Sequence, residues 1–436
     1  MRRNIVHAGA GALSYAIREI VLVARRFAQA GLTITWENIG DPVQKGEKIE
    51  PWIRDVLADV INQDQSWAYS DTAGVPATRE FLAAQASSRP GGCRVRADDI
   101  LFFNGLGDAI RCVYSLLRRE ARVIGPTPAY STHSSTEAAH SGYEHFAYDL
   151  DPHNRWLPDL DDLRLKVKHN DSIAGITLIN PDNPTGTVYP REVLEGIVAI
   201  ARDHGLFIIC DEVYAHIVYN GFKTLHLSEL AGDVCAIVMR GISKEYPWPG
   251  GRCGWIEVLN RGRDPVFKAY ADSLLAAKRL EVCSTTMPQL TVPRVMGDAR
   301  YPGHLRRRAE MFEARARQAA AALAGIPGVL APPPSGAFYY TVAFEPGVLN
   351  DRQTLPIANP AVRQMVEQLV PAVANDYRFV YYLMGATGIC TVPLTGFACA
   401  RDGFRFTLLE GDEQKRAWVF KTLASSIRQY LASAPA

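Results

Sequence analysis

The sequence predicts an α/β protein: a mostly parallel sheet with helices on both faces, joined to a smaller α+β unit. Three observations carry that prediction. From about residue 76 to residue 260, short apolar runs alternate with helical stretches. Most of those runs are near-continuously apolar, the pattern of strands buried on both faces. Beyond about residue 304 the rhythm changes to one long helix, then to mixed short strands and helices.

The elements follow in order. Residues 14–30 read as an amphipathic helix, with Ile17, Ile20, Val21, Ala24, Phe27 and Ala28 repeating at three and four and Gly31 as its C-cap. A short extended piece, TITWENIGDPVQKGE, ends in a Gly/Pro turn. The strand candidates are 121–126, 144–150, 173–180, 205–212, 235–240 and 254–260. Helices between them, such as REVLEGIVAIARDHG, end in Gly. Residues 304–324 form a basic, Ala-rich helix whose arginines read as a solvated face. Asn359-Pro360 reads as an N-cap with Pro at the first helical position. There is no internal repeat and no low-complexity tract.

Composition bounds the function. The 436 residues allow two or three domains and a large core. Lys plus Arg number 47 against 46 Asp plus Glu, so the net charge of +1 argues against a general nucleic-acid binder or a polybasic membrane-surface protein. No apolar run approaches the ~18 residues of a membrane span. Met1-Arg2-Arg3 resembles the start of a signal peptide, but Arg18, Glu19, Arg25 and Arg26 interrupt any apolar region behind it. The eight cysteines are scattered and form no CxxC pair, which reads as reduced thiols in a cytoplasmic protein and gives no metal site.

Ligands of an open α/β sheet bind beyond the carboxyl ends of the strands. After ITLI come Asn180 to Gly186 (NPDNPTG); after LFIIC come Asp211, Glu212, Val213 and Tyr214. After CAIVMR come Gly241, Ile242, Ser243 and Lys244, then a Pro/Gly loop and Arg252; after RVIG comes a segment ending in Tyr130. Each has a plain structural reading too. The Asn183 segment suits a turn, Asp211 suits a helix N-cap, and a lysine is usually solvated. Lys244 follows a buried strand, which favours a lowered pKa. Asn104-Gly105-Leu106-Gly107 precedes a helical run and suits either a Gly-containing helix start or an anion cradle. As a dinucleotide fingerprint it fails, lacking the third Gly.

Together and in order, these pieces resemble the fold-type I pyridoxal-phosphate aminotransferases of class I/II. NPxNPTG is followed about 28 residues later by DExY, then about 33 later by SK and GxRxGW, and the likeness runs from Asn38 to Arg405. The resemblance implies a seven-stranded, mostly parallel sheet in a large cofactor-binding domain, 51–303. It also implies a small closing domain from both chain ends, 1–50 and 304–436.

The cofactor implied is pyridoxal 5'-phosphate. By resemblance Lys244 is the catalytic amine that holds it and later moves a proton. Asp211 keeps the ring nitrogen charged. Tyr214 and Asn183 serve the ring oxygen, and Tyr130 stacks on the ring face. Gly105, Leu106 and Gly107 offer the phosphate N–H groups, Arg252 a cation and Ser243 a hydroxyl. Tyr69, in WAYSDTAG, matches a phenol reaching the phosphate from a second subunit, which implies a homodimer sharing its sites. Arg405 takes the substrate carboxylate, with Gly40 allowing close approach and Asn183 beside it. One departure stands out: the family's Ser or Thr three residues before the lysine is Gly241 here.

NIGDP and TGICTVPLTGF (387–397) resemble alanine-aminotransferase-like members. The expected reaction moves an amino group between an L-amino acid and a 2-oxoacid, with glutamate/2-oxoglutarate and alanine/pyruvate as expected pairs. The alternatives are a lyase on the same scaffold and, more distantly, a non-catalytic regulator. Trp248 either lines the pocket or packs under the loop.

Overall fold

A computed structural model describes residues 5, 6, 8–12 and 16–434. The large sheet runs in the order Ile100–Phe103, Gly254–Leu259, Ala236–Gly241, Phe207–Asp211, Ile173–Ile179, Arg122–Thr127, Ala147–Asp151 and Leu157–Pro158. The five strands from Ala236–Gly241 to Ala147–Asp151 are parallel. Gly254–Leu259 runs antiparallel to both neighbours. The sheet therefore has eight strands rather than seven. The additional one is the two-residue edge Leu157–Pro158, paired antiparallel to Ala147–Asp151, and a run so short carries no periodic signal. Ile100–Phe103 also escaped the reading, because four apolar residues before a glycine turn suit a strand or a buried helix equally.

Alternation along the strands separates two apolar layers. Ile208, Cys210, Ala236 and Val238 face a core with Trp52, Leu82, Leu194, Ile197 and Val198. Ile209, Ile237 and Met239 face the other way, onto Ile110, Val113, Phe267 and Leu274. Helices thus cover both faces, as continuously apolar strands require.

The first helix spans Ala16–Gln29, and Gly31 behind it has φ 92°; positions 14 and 15 of the expected helix, and Met1 to Arg3, lie outside the described residues. The long basic helix spans Tyr301–Leu323. Asn359 caps Pro360–Leu369 by accepting from the N–H groups of Ala361 and Val362 at 3.0 and 3.2 Å. A second, antiparallel sheet joins Val329–Leu330, Tyr339–Phe344, Gly403–Thr407 and Val392–Pro393. The N-terminal strand Thr35–Trp36 pairs in parallel with Ile389–Cys390, and the carbonyl of Glu37 accepts from Thr407 N–H at 2.9 Å. These bonds hold the segment that follows, Asn38 to Gly40, against the strand carrying Arg405. All eight cysteines are free. Among the described residues no helix is long and apolar enough to cross a membrane.

Candidate active site

A cavity of about 460 Å³ opens at the carboxyl ends of the parallel strands. Its wall holds Gly40, Leu106, Gly107, Tyr130, Asn183, Asp211, Tyr214, Ser243, Lys244, Arg252 and Arg405. Leu106, Gly107, Tyr130, Asn183, Asp211, Tyr214, Ser243 and Lys244 meet there because each ends or follows a strand or opens a helix at that sheet edge, while Gly40 and Arg405 reach the cavity from the two smaller sheets.

Lys244 lies on a turn three residues past the Ala236–Gly241 strand. Its Nζ donates to the Gly40 carbonyl at 2.7 Å and stands 5.9 Å from the Tyr214 ring centroid. Burial pushes its ammonium down to about 8; Asp41 and Asp211 oppose that shift and Arg405 adds to it. An amine with that value has an appreciable neutral fraction near neutral pH, which a nucleophile needs.

Asp211 ends its strand 2% exposed. One carboxylate oxygen accepts from Val213 N–H at 3.0 Å; the other lies 3.4 Å from His133 Nε2. His133 Nδ1 is 3.3 Å from the Tyr114 hydroxyl, itself 2.9 Å from Thr177 Oγ1. The carboxylate is therefore oriented by a buried chain of polar groups from three elements. His133 was not singled out in the sequence; a histidine in the helical STHSSTEAAH carries no motif.

Tyr214 and Tyr339 bring their hydroxyls within 2.9 Å. Burial first, then the Tyr339 phenol, hold the Tyr214 phenol well above its ordinary value, so it stays protonated and can donate. A Cβ on Gly40 would fall 2.2 Å from the Tyr339 hydroxyl. Gly40 is thus required by close approach.

Arg405 is 1% exposed. Its guanidinium donates to Asn183 Oδ1 at 3.1 Å and to the Asn38 carbonyl at 2.6 Å, and lies 4.4 Å from the Tyr339 ring centroid. Stacked and hydrogen-bonded, it is held as a rigid fork on the cavity wall.

At the other end the helix Leu106–Ser115 points its first turn at the cavity, with Gly105 as N-cap at φ 83°. A Cβ on Gly105 would meet Arg252 Nη2 at 2.5 Å, so Gly105 backs the wall rather than lining it. The first N–H groups of a helix have no partner within it and suit an anion. Arg252 stands beside them, its Nη2 donating to the Asn104 carbonyl at 3.3 Å, and Ser243 lines the same cavity.

Gly241, the departure from the family pattern, and Tyr69, an expected member, both lie off the wall. Gly241 is buried beneath the wall and contributes no surface to it. Tyr69 is 84% exposed and outside the cavity of its own chain. Trp248 packs beneath the loop, partly buried against the core and pressed under Gly251. The wall also holds Arg18, Val21 and Arg25 from the first helix, and Asp41 and Tyr339. The arginines were read only as interruptions of an apolar stretch, since their spacing of seven shows one helix face but not what it meets.

The family model described as aminotransferase class I and II matches residues 38–419. The chain belongs to the class I and II aminotransferases. An uncharacterized aminotransferase of Methanocaldococcus jannaschii is 51% identical over 431 residues, covering 99% of this chain and 100% of that protein. Glutamate-pyruvate aminotransferase AlaA of Escherichia coli is 33% identical over 335 residues, 74% of this chain and 79% of its own. The alanine aminotransferase of Pyrococcus furiosus has the same fold, with a TM-score of 0.82 at 24% identity over 99% of this chain and 100% of that one.

This aminotransferase depends on pyridoxal 5'-phosphate and transfers amino groups between amino acids and oxo acids. The cavity fits the cofactor. It offers a buried carboxylate, an amine of lowered pKa and a glycine-lined helix start in one space. Its volume suits a small cofactor with a small substrate.

Proposed function

We propose that this aminotransferase carries the amino group of glutamate to a small 2-oxoacid such as pyruvate, and back. The observation behind this reading is the cation pattern of the cavity. Lys244, Arg252 and Arg405 each have a role set by the cofactor or the α-carboxylate. Arg18 and Arg25 do not, yet both stand exposed on the cavity wall, seven residues apart on one helix face with Val21 between them. Two guanidiniums there suit a second carboxylate, as in glutamate and 2-oxoglutarate. Val21 suits the methyl of alanine. The AlaA relative, named a glutamate-pyruvate aminotransferase, supports the same pair.

The roles follow from position. When bound, the cofactor acts as the electron sink that makes the substrate Cα proton acidic. Lys244 would anchor it covalently and, once released, would carry that proton from the substrate Cα to the cofactor carbon on the far side of the amino nitrogen. Asp211, oriented by His133, holds the positive charge of the ring nitrogen. Asn183 and Tyr214 donate to the ring oxygen, and Tyr130 covers a ring face. Gly105, Leu106, Gly107, Ser243 and Arg252 hold the phosphate. Arg405, with Gly40 and Asn183, orients the α-carboxylate. Residues 1–50 and 304–436 form the small domain that closes over 51–303.

The active form is a cytoplasmic homodimer. Trp67, Tyr69, Leu280 and Val282 are exposed on adjoining segments, joined by Thr72 Oγ1 to the Val282 carbonyl at 2.8 Å and Thr286 Oγ1 to the Ala68 carbonyl at 2.8 Å. Asn104, next to the helix start, bonds Glu281 in the same region. A second copy covering this patch brings Tyr69 of the partner subunit to the phosphate.

Half-reactions test the substrate reading. The loaded enzyme should be converted to its amine form by glutamate and by alanine, and restored by 2-oxoglutarate and pyruvate. Conversion by neither donor would refute the pairing.

A further inference from the structure

The resemblance places a hydroxyl donor to the phosphate three residues before the lysine, where this chain has Gly241. We propose that Gly241 is shut out of the phosphate grip by the backbone of Cys253 and Gly254 on the strand paired with it, and that Gly107 is an open position facing the phosphate. The inference rests on the reading that the helix start receives the phosphate.

Gly241 lies opposite Gly254 in the antiparallel pair at the end of the sheet. A Cβ on Gly241 would stand 3.0 Å from the Cys253 carbonyl oxygen and 3.3 Å from Gly254 Cα. Both are backbone atoms, which cannot rotate aside. A Cβ on Gly254 would meet Leu106 Cδ2 at 2.9 Å and the Leu106 nitrogen at 3.1 Å. The paired glycines thus form a flat floor, and the first residue of the helix rests on it.

The floor is held from beneath. Arg240 points to the opposite face of the strand, where its buried guanidinium lies 3.1 Å from Glu212 Oε2 and 2.8 Å from His226 Nδ1. Moving Gly241 to admit a side chain would disturb that buried ion pair, which is costly to break. In exchange, the bare floor lets the helix start sit close to the strand ends, carrying the N–H groups of Leu106 and Gly107 to the cavity. Gly107 is the reverse case. It is exposed on the cavity wall, and a Cβ added there meets nothing within 4 Å. Its φ is not positive, so a serine enters without backbone strain.

The test is a titration of cofactor-free enzyme with inorganic phosphate, read by calorimetry, and with pyridoxal phosphate, read by absorbance. For Gly107→Ser, phosphate should bind about tenfold more tightly, the effect of one added hydrogen bond to a charged group. For Gly241→Ser, phosphate should bind no more tightly, and the melting temperature in phosphate-free buffer should fall. Tighter phosphate binding by Gly241→Ser at an unchanged melting temperature would overturn the inference, as would unchanged affinity in Gly107→Ser. If phosphate fails to compete with pyridoxal phosphate on the wild-type protein, the helix start is not the phosphate site, and the underlying reading falls with the inference.

Discussion

The side-chain nitrogen of Lys244 donates to the backbone carbonyl of Gly40, 2.7 Å away and 204 residues earlier in the chain. One bond thus joins the turn after a large-sheet strand to the N-terminal segment that passes beside Arg405. The same glycine packs under the Tyr339 hydroxyl, which meets that of Tyr214. Amine, carboxylate fork and phenol pair are therefore parts of one packed unit.

Lys244 should govern covalent cofactor capture. Burial brings its ammonium down to about 8, so the rate at which cofactor-free enzyme captures pyridoxal phosphate should rise with pH and level off above that value. Stopped-flow absorbance from pH 6 to 10 measures it. Lys244→Ala should show no covalent capture and no transamination while keeping its circular dichroism. Borohydride trapping of the cofactor on another lysine would refute the assignment.

Gly40→Ala should raise KM for every amino acid, because its methyl would fall 2.2 Å from the Tyr339 hydroxyl and push the phenol or the segment out of place. Overpacking of this kind costs about 1–3 kcal/mol. Tyr339→Phe removes the clashing oxygen, so the double variant should recover much of the loss. A double variant as impaired as Gly40→Ala alone would place the fault elsewhere.

Arg405→Lys should lower kcat/KM by roughly 100-fold or more for all donors, since a point charge cannot replace a buried, stacked, bidentate fork. Arg18→Gln and Arg25→Gln should behave differently. They should raise KM for glutamate and 2-oxoglutarate about tenfold and leave alanine and pyruvate nearly unchanged. Steady-state kinetics with both pairs separates the roles, and equal losses for alanine and glutamate would remove the first helix from side-chain recognition.

The contrast between these arginines shows what the sequence makes legible. Asp211, Lys244 and Asn183 follow apolar runs, so strand-end logic finds them without coordinates. Arg405 needed the family likeness, because GFRFTLLE alone reads as an ordinary strand with a surface arginine. Arg18, Arg25 and Tyr339 were missed because their relevance arises from packing between distant segments. The Thr35–Trp36 strand must pair with Ile389–Cys390 before the first helix can be placed, and no local pattern encodes that. His133 is hidden for a similar reason, since its partners Tyr114 and Asp211 come from other elements. The short edge strand Leu157–Pro158 depends on its neighbour alone.

Asp182, inside the NPDNPTG turn, should make stability fall as pH rises. It is fully buried; one oxygen accepts from the Thr185 N–H and hydroxyl at 3.0 and 2.5 Å, while Oδ1 has no hydrogen-bond partner. Burial pushes its carboxyl up to about 7, against the bonds from Thr185 that lower it. The unfolded chain releases this proton near the ordinary carboxylate value, about 3.9. Between the two values the folded state therefore binds more protons than the unfolded one, and stability declines with rising pH until about 7, then levels. Asp376, which burial raises to about 6, adds a slope of the same sign, so the wild-type curve alone does not isolate Asp182. Asp182→Asn keeps the shape, carries no charge and removes only its own share. We expect the variant and the wild type to melt alike near pH 4.5 and to diverge as pH rises, the variant being more stable by about 1–3 kcal/mol at pH 8. Thermal melts of the cofactor-free protein at half-unit steps give the difference curve. A flat difference would mean that Asp182 is ionised in the folded protein.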